Sequence, residues 1–123
     1  MRKQYYFRAT THGLLAWDVD RLVELTRDLP RTRVPLTRIY ELDEPWTVDD
    51  PGANWRGFVE HVQLMHDANL AYPIILSADG RVMDGMHRVA KALSLGHTEI
   101  DAVQFLTDPP PDHVGKRPDE LPY

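Results

Sequence analysis

Apolar and polar positions along this chain follow two rhythms, and the changes between them mark the elements. "QYYFRAT", residues 4–10, has the two-residue period of a strand, with Tyr5 and Phe7 on one side. "WDVDRLVELTRDLP" shifts to helical spacing: Leu22, Leu25 and Leu29 recur at three- and four-residue steps, with Trp17 and Val19 nearby. Asp18 is placed to cap that helix and Pro30 to end it. "RVPLTRIYELDEPW" predicts a short strand from roughly Leu36 to Leu42, which turns acidic at Glu41, Asp43 and Glu44 and stops at Pro45. "TVDDPGANW" carries turn chemistry.

"NWRGFVEHVQLMHDANL" returns to helical spacing. Asn54 is a candidate cap, and Trp55, Phe58, Val62 and Met65, with Leu64 and Leu70, are expected to supply core. "YPIIL" is a continuous apolar run, the pattern of a strand buried on both faces. Asp79-Gly80 suits a tight hairpin turn, and "RVMD" returns as its second strand. "MHRVAKALSL" is helical, with Val89, Ala92 and Leu93 expected to face inward and Gly96 at the position just past the end. "EIDAVQF" predicts the last strand. "TDPPPDHVGKRPDELPY" is expected to be an extended tail, lying on the domain or in part disordered. The mixture, with a hairpin where a parallel crossover would need more residues, predicts a compact α+β fold: a mixed sheet with packed helices.

Composition narrows the function classes. Of 123 residues, 42% are hydrophobic and 27% charged, which fits a single globular domain with a real core. A net charge of −5 argues against broad nucleic-acid binding, which needs many cations on one face, but leaves room for a local phosphate site. There is no cysteine, so disulfides, thiolate metal sites and a cysteine nucleophile are excluded. The six histidines show no zinc-ligand spacing, and His61 and His66 are five apart, which puts them on different faces of a helix. Neither a signal peptide nor a run of about 20 apolar residues is visible, so a cytoplasmic, non-membrane protein is expected.

The candidate chemistry sits at Asp84-Gly85-Met86-His87-Arg88, where a strand meets a helix. The first turn of a helix leaves backbone N–H groups without partners, and these, with the positive end of the dipole, attract anions. Gly85 permits close backbone approach, Arg88 can grip phosphate oxygens in a fork, and His87 can donate near neutral pH. Asp84 can hold Mg2+ on a phosphate, orient His87 or cap the helix. The plainer alternative is a turn and helix cap followed by two solvated side chains. Phosphoryl transfer also needs a carboxylate near the acceptor hydroxyl. Glu41, Asp43 and Glu44 are candidates, Glu60 is a weaker one, and the competing reading of this cluster is a solvated strand end.

"PIILSADGRVMDGMHRVAKALSLGHTEIDAVQF" resembles the core of the ParB/sulfiredoxin superfamily. In that family a Pro-Ile strand leads through a hairpin to a Gly-x-[His/Arg]-Arg junction, a helix ending near glycine and a last strand. The clear likeness covers about residues 72–105 and a weaker one reaches back to 34. It implies one domain over 1–123, with an N-terminal extension (1–33), a core (34–106) and a proline-rich tail (107–123).

The resemblance implies a nucleotide ligand at this junction: CTP in partition proteins, ATP in sulfiredoxin, adenine nucleotide in free serine kinase. It implies that Gly85, Met86, His87 and Arg88 lie at the nucleotide and that a catalytic glutamate comes before the Pro-Ile strand, for which Glu41 and Glu44 are the candidates. Asp84, as the candidate for holding Mg2+, completes the expected catalytic set. Met86 stands where sulfiredoxin has its cysteine, so reduction of a sulfinic acid is not expected. Gly-Met-His-Arg replaces the Gly-Glu-Arg-Arg of partition proteins, and the residues after the last strand are too few for their helix-turn-helix region, so DNA binding is not expected. The Asp-Gly-x-His-Arg form is most similar to the free serine kinase branch. A nucleotide-dependent phosphotransferase acting on a small hydroxyl-bearing molecule is therefore expected. The alternatives are a non-catalytic nucleotide-binding regulatory module and a protein-interaction module using the tail and the aromatics Tyr5, Tyr6 and Tyr123.

Overall fold

The computed structural model describes residues 3–46 and 53–123; the predicted turn at "TVDDPG" lies outside them. Two strands, β1 (Tyr5–Thr10) and β2 (Gly13–Asp18), form an antiparallel hairpin that pairs Tyr5 with Asp18 and Thr10 with Gly13. Asp18 then starts α1 (Val19–Thr26), its carboxylate accepting the Asp20 N–H at 2.9 Å as an N-cap. β3 (Thr32–Pro35) follows, then two single 3-10 turns, Leu36–Arg38 and Tyr40–Asp43. The longest helix, α2 (Trp55–Asp67), is capped by Asn54, whose side chain accepts from the Gly57 N–H at 2.8 Å. The hairpin β4 (Ile74–Leu76) and β5 (Val82–Asp84) leads into α3 (Met86–Ser94), β6 (Glu99–Gln104), β7 (His113–Val114) and a 3-10 turn at Pro118–Glu120.

The result is an α+β architecture with two sheets. The larger has the order β3-β6-β4-β5 and the smaller β1-β2-β7. β4 and β6 are parallel, joined by the β5–α3 connection, while β3 runs antiparallel to β6. Strand alternation splits the larger sheet's side chains between two cores. Ile74, Leu76, Val82, Ile100 and Ala102 pack with Val89 and Ala92 of α3. Ile75, Met83 and Val103 pack on the opposite face with Leu22 of α1 and Trp17 of the hairpin. Within "YPIIL" the three β4 residues are apolar and buried, on alternating faces, whereas Tyr72 lies before the strand and is exposed.

Four sequence expectations change. The segment from Leu36 to Leu42 is not a strand; the strand lies earlier, and Pro35 closes it because proline cannot extend the ladder. β2 was hidden because "GLLAWD" runs straight into the capping aspartate of α1 and was absorbed into its helical signal. α2 contains no buried residue: Trp55 is 84% exposed, and Phe58 and Leu64 are also exposed. Leu93 is 53% exposed, so α3 buries the narrower stripe of Val89 and Ala92. Gly96 does sit just past the helix, at φ +79°.

The tail is built into the smaller sheet. β7 pairs Leu15 with Val114, and Leu121 is buried. Gly13 and Gly115 bring the backbones so close that a Cβ on Gly13 would lie 3.3 Å from the Gly115 Cα. Tyr6 tilts against Trp17, and Tyr5 donates its hydroxyl to the Pro122 carbonyl and meets Tyr123 edge to face. Tyr6 thus packs on the core, while Tyr5 and Tyr123 pack against each other and Tyr123 stays half exposed.

Candidate functional site

β5 delivers the chain to Gly85, which caps α3 at φ +104° and ψ +21°. That left-handed conformation favours glycine, and so does the space: a Cβ there would lie 2.8 Å from both the Ile74 Cγ2 and the Arg88 Nη2. No side chain caps this helix. Its N-terminal turn opens on a cleft of about 400 Å³, walled by Gly85, Met86, His87, Lys3, Tyr5 and Tyr123. Lys3 lies 2.8 Å from Asp18 and 3.8 Å from Asp20, and the hydrogen bond to Asp18 raises its pKa. This cleft therefore has helix donors without a side-chain cap, the Lys3 ammonium group that Asp18 holds, one imidazole and the Asp84 carboxylate; the donors, ammonium and imidazole suit an anion.

Arg88 lies in a different place from the cradle the sequence predicts. Its Nη2 donates to the Asp84 Oδ2 at 3.2 Å and to the Pro73 carbonyl at 3.2 Å. The two side chains are 18% and 21% exposed and line a groove against α1 instead. Asp84 borders both spaces, does not cap α3, and uses its carboxylate to hold Arg88. Among the described residues no three His, Asp or Glu side chains gather to hold an ion, so Asp84 is not part of an all-protein metal cage.

Two of the three acidic residues are held by Arg81, and Glu41 alone of them is withdrawn from solvent. The Glu41 Oε2 accepts the Val82 N–H at 2.7 Å and lies 3.5 Å from the Arg81 Nε, while Oε1 is buried with no partner. Both Glu44 oxygens accept from the Arg81 Nη2, at 2.8 and 3.0 Å, and this pairing raises the arginine's pKa. One arginine on the β4–β5 hairpin thus pins both glutamates. They line a cleft of about 330 Å³ with Trp46, His61 and Met86. Met86 borders this acidic cleft and the α3 cleft alike, so the glutamates and the junction are neighbours. Asp43 and Glu60 are exposed.

His61 was missed by sequence reasoning. Its Nδ1 lies 3.3 Å from the His87 Nε2, the ring centroids are 4.7 Å apart, and Trp46 tilts over His61 at 5.0 Å. The signal was available, because His61 falls between Phe58 and Met65 on the repeating face of α2. Burial lowers the pKa of His87, helped by His61 and Arg88 and opposed by Asp84. A second tie joins the helices: the Lys91 Nζ donates to the His66 and Ala68 carbonyls, both at 2.7 Å, satisfying the C-terminal end of α2.

No protein-family model, no curated protein and no solved structure matches the chain. Among the described residues no helix is long and apolar enough to cross a membrane.

Proposed function

We propose that the chain is a nucleotide-binding domain of the ParB/sulfiredoxin type, taking the phosphates of ATP, ADP or CTP at the N-terminus of α3. The observation that carries this reading is the uncapped first turn of α3, opening on a cleft of about 400 Å³ that also holds Lys3 and His87. Tyr5 and Tyr123 give that cleft aromatic walls for a base. In this reading Gly85, Met86 and His87 contact the phosphates, and Lys3 replaces Arg88 as the cation. Mg2+ arrives on the phosphate oxygens, with Asp84 the nearest carboxylate to it. A regulatory module would use the same site.

Phosphoryl transfer is the second reading, favoured by the unpartnered Glu41 Oε1 beside the adjoining cleft. A small hydroxyl-bearing acceptor would lie there. Its oxygen bonds to the terminal phosphorus, the bond from that phosphorus to the bridging oxygen breaks, and a carboxylate, Glu41 or Glu44, takes the hydroxyl proton.

The test is a thermal-shift titration with ATP, ADP and CTP, with and without Mg2+, on wild type and Lys3→Ala. A ligand that binds only the native state raises the midpoint with concentration. One nucleotide should stabilise the wild type and act more weakly on the variant. No shift at millimolar concentration with any of the three overturns the nucleotide reading. Binding without turnover would remove the second reading alone.

A further inference from the structure

A second binding site lies on the opposite side of Asp84, under α1. It is a groove of about 280 Å³, just below the range of roughly 300–1,000 Å³ usual for small-ligand sites. Ile75 and Val103, both core residues, form its floor, and Val23, Leu29, Tyr72 and Pro73 form apolar walls. It shares only Asp84 with the lining of the α3 cleft.

The rim is cationic in a chain whose net charge is −5. Arg27, Arg31 and Arg88 all line the groove. Arg27 bridges Glu24 at 2.8 Å on the open surface, and Arg88 holds Asp84 while its Nε has no partner. Arg31 donates to the neutral Ala71 carbonyl at 2.9 Å, and among the described residues no carboxylate pairs with it. Three guanidinium groups thus face two carboxylates, and one of the three has no anion. An apolar slot with an unneutralised guanidinium at its mouth matches a molecule with an apolar body and one anionic end.

We propose that this groove binds a small carboxylate with an apolar body, a medium-chain or single-ring acid, with its carboxylate on Arg31 and Arg27 and its body over Ile75 and Val103. This site is separate from the nucleotide cleft and stands or falls independently of it.

The experiment is calorimetric titration of the full chain with octanoate, with octanamide as the uncharged control, followed by amide chemical-shift mapping. Octanoate should bind saturably and shift the amides of Val23, Tyr72 and Val103. Octanamide should bind about tenfold more weakly or worse, as should octanoate to Arg31→Gln, since a hydrogen bond to a charged group is worth roughly that factor. Glutamine keeps a donor for the Ala71 carbonyl, and a second variant, Val23→Glu, places a repelling charge on the exposed wall. Equal binding of acid and amide, or of wild type and both variants, overturns the proposal. So does octanoate binding that shifts only Gly85 and His87, or a concentration-dependent dimer abolished by Val23→Glu, which would make the groove a contact between copies.

Discussion

The His61 Nδ1 stands 3.3 Å from the His87 Nε2, so α2 and α3 meet through two imidazoles. Two neutral rings can share a proton at this distance, one donating and one accepting; two imidazolium ions there repel. The pair sits between the acidic cleft, which His61 lines, and the α3 cleft, which His87 lines. The pair thereby joins α2 to the mouth of the proposed phosphate site.

The first prediction concerns pH. The folded-state pKa of His87 lies below its ordinary value of 6.5, chiefly through burial. As pH falls through 6.5 the unfolded chain takes up a proton that the folded chain does not, so stability is lost. The loss grows until pH reaches the folded-state pKa and then levels off. Asp18 and Asp79 are also shifted, both downward, so their loss comes at lower pH, below the carboxylate value of 3.8. The thermal midpoint of the wild type should therefore drop between pH 7 and 5, and that of His87→Gln should drop less. Parallel slopes for the two proteins would show that folding does not lower the His87 pKa.

The second prediction concerns Gly85→Ala. Its φ of +104° disfavours any side chain, and the new Cβ would lie 2.8 Å from the Ile74 Cγ2 and the Arg88 Nη2. The variant should lose about 2 kcal/mol or more in urea denaturation. Gly80→Ala is the control: its φ is also positive, at +89°, but nothing lies within 4 Å of the added carbon. Gly80→Ala should cost less, and the difference measures the crowding at the junction.

The sequence signals that succeeded are those set by local chemistry. Asp18 and Asn54 cap their helices, Asp79-Gly80 turns the hairpin, and the "IIL" part of the apolar run is buried on both faces, while Tyr72 before it is exposed. The failures depend on tertiary placement. Helical spacing in α2 was legible, but whether another element covers Trp55 and Phe58 is decided elsewhere in the chain. Gly85 is where the motif places it, yet Arg88, three residues on, folds back on Asp84 and Pro73. Arg81 shows the same limit: nothing in "SADGR" reveals that it will bind two glutamates about forty residues earlier. The tail, expected to be extended and either lying on the domain or in part disordered, does lie on it; its strand carried no signal because it is two residues long and takes its partner from β2.

A third prediction separates the two glutamates. Glu41 accepts a backbone N–H from β5, and its side chain is 18% exposed, so Glu41→Ala leaves the Val82 N–H without its partner. That should cost about 1–3 kcal/mol. The Glu44–Arg81 pair is exposed at 46% and 34%, and Glu44→Ala should cost no more than about 1 kcal/mol. Denaturant midpoints compare them, and equal losses would mean that Glu41 does not brace the hairpin. Because of this structural load, a nucleotide-turnover assay on position 41 needs Glu41→Gln, with folding checked first.

The fourth prediction tests whether the tail is part of the fold. The Trp17 side chain is buried, and its Nε1 donates to the Pro109 carbonyl at 2.8 Å. Asp112 accepts the Asp18 N–H at 2.8 Å and pairs with Arg21 at 3.1 Å, so it braces the start of α1 from outside. The N–H groups of Asp112 and Gly115 donate to Ala16 and Leu14, each at 2.8 Å. Asp108 reaches both ways, to Arg8 at 3.0 Å and to the Ala78 N–H at 2.8 Å, which ties the smaller sheet to the β4–β5 hairpin. Deleting residues 107–123 removes all these bonds, including the one from the buried Trp17 ring. At about 1 kcal/mol for each hydrogen bond, the loss should be several kcal/mol. Trp17→Phe removes only one donor and part of the ring, so it should cost about 1–3 kcal/mol. Tryptophan emission should shift to the red in the deletion variant as Trp17 meets water. An unchanged emission maximum and midpoint in that variant would mean that the tail lies on a domain complete without it.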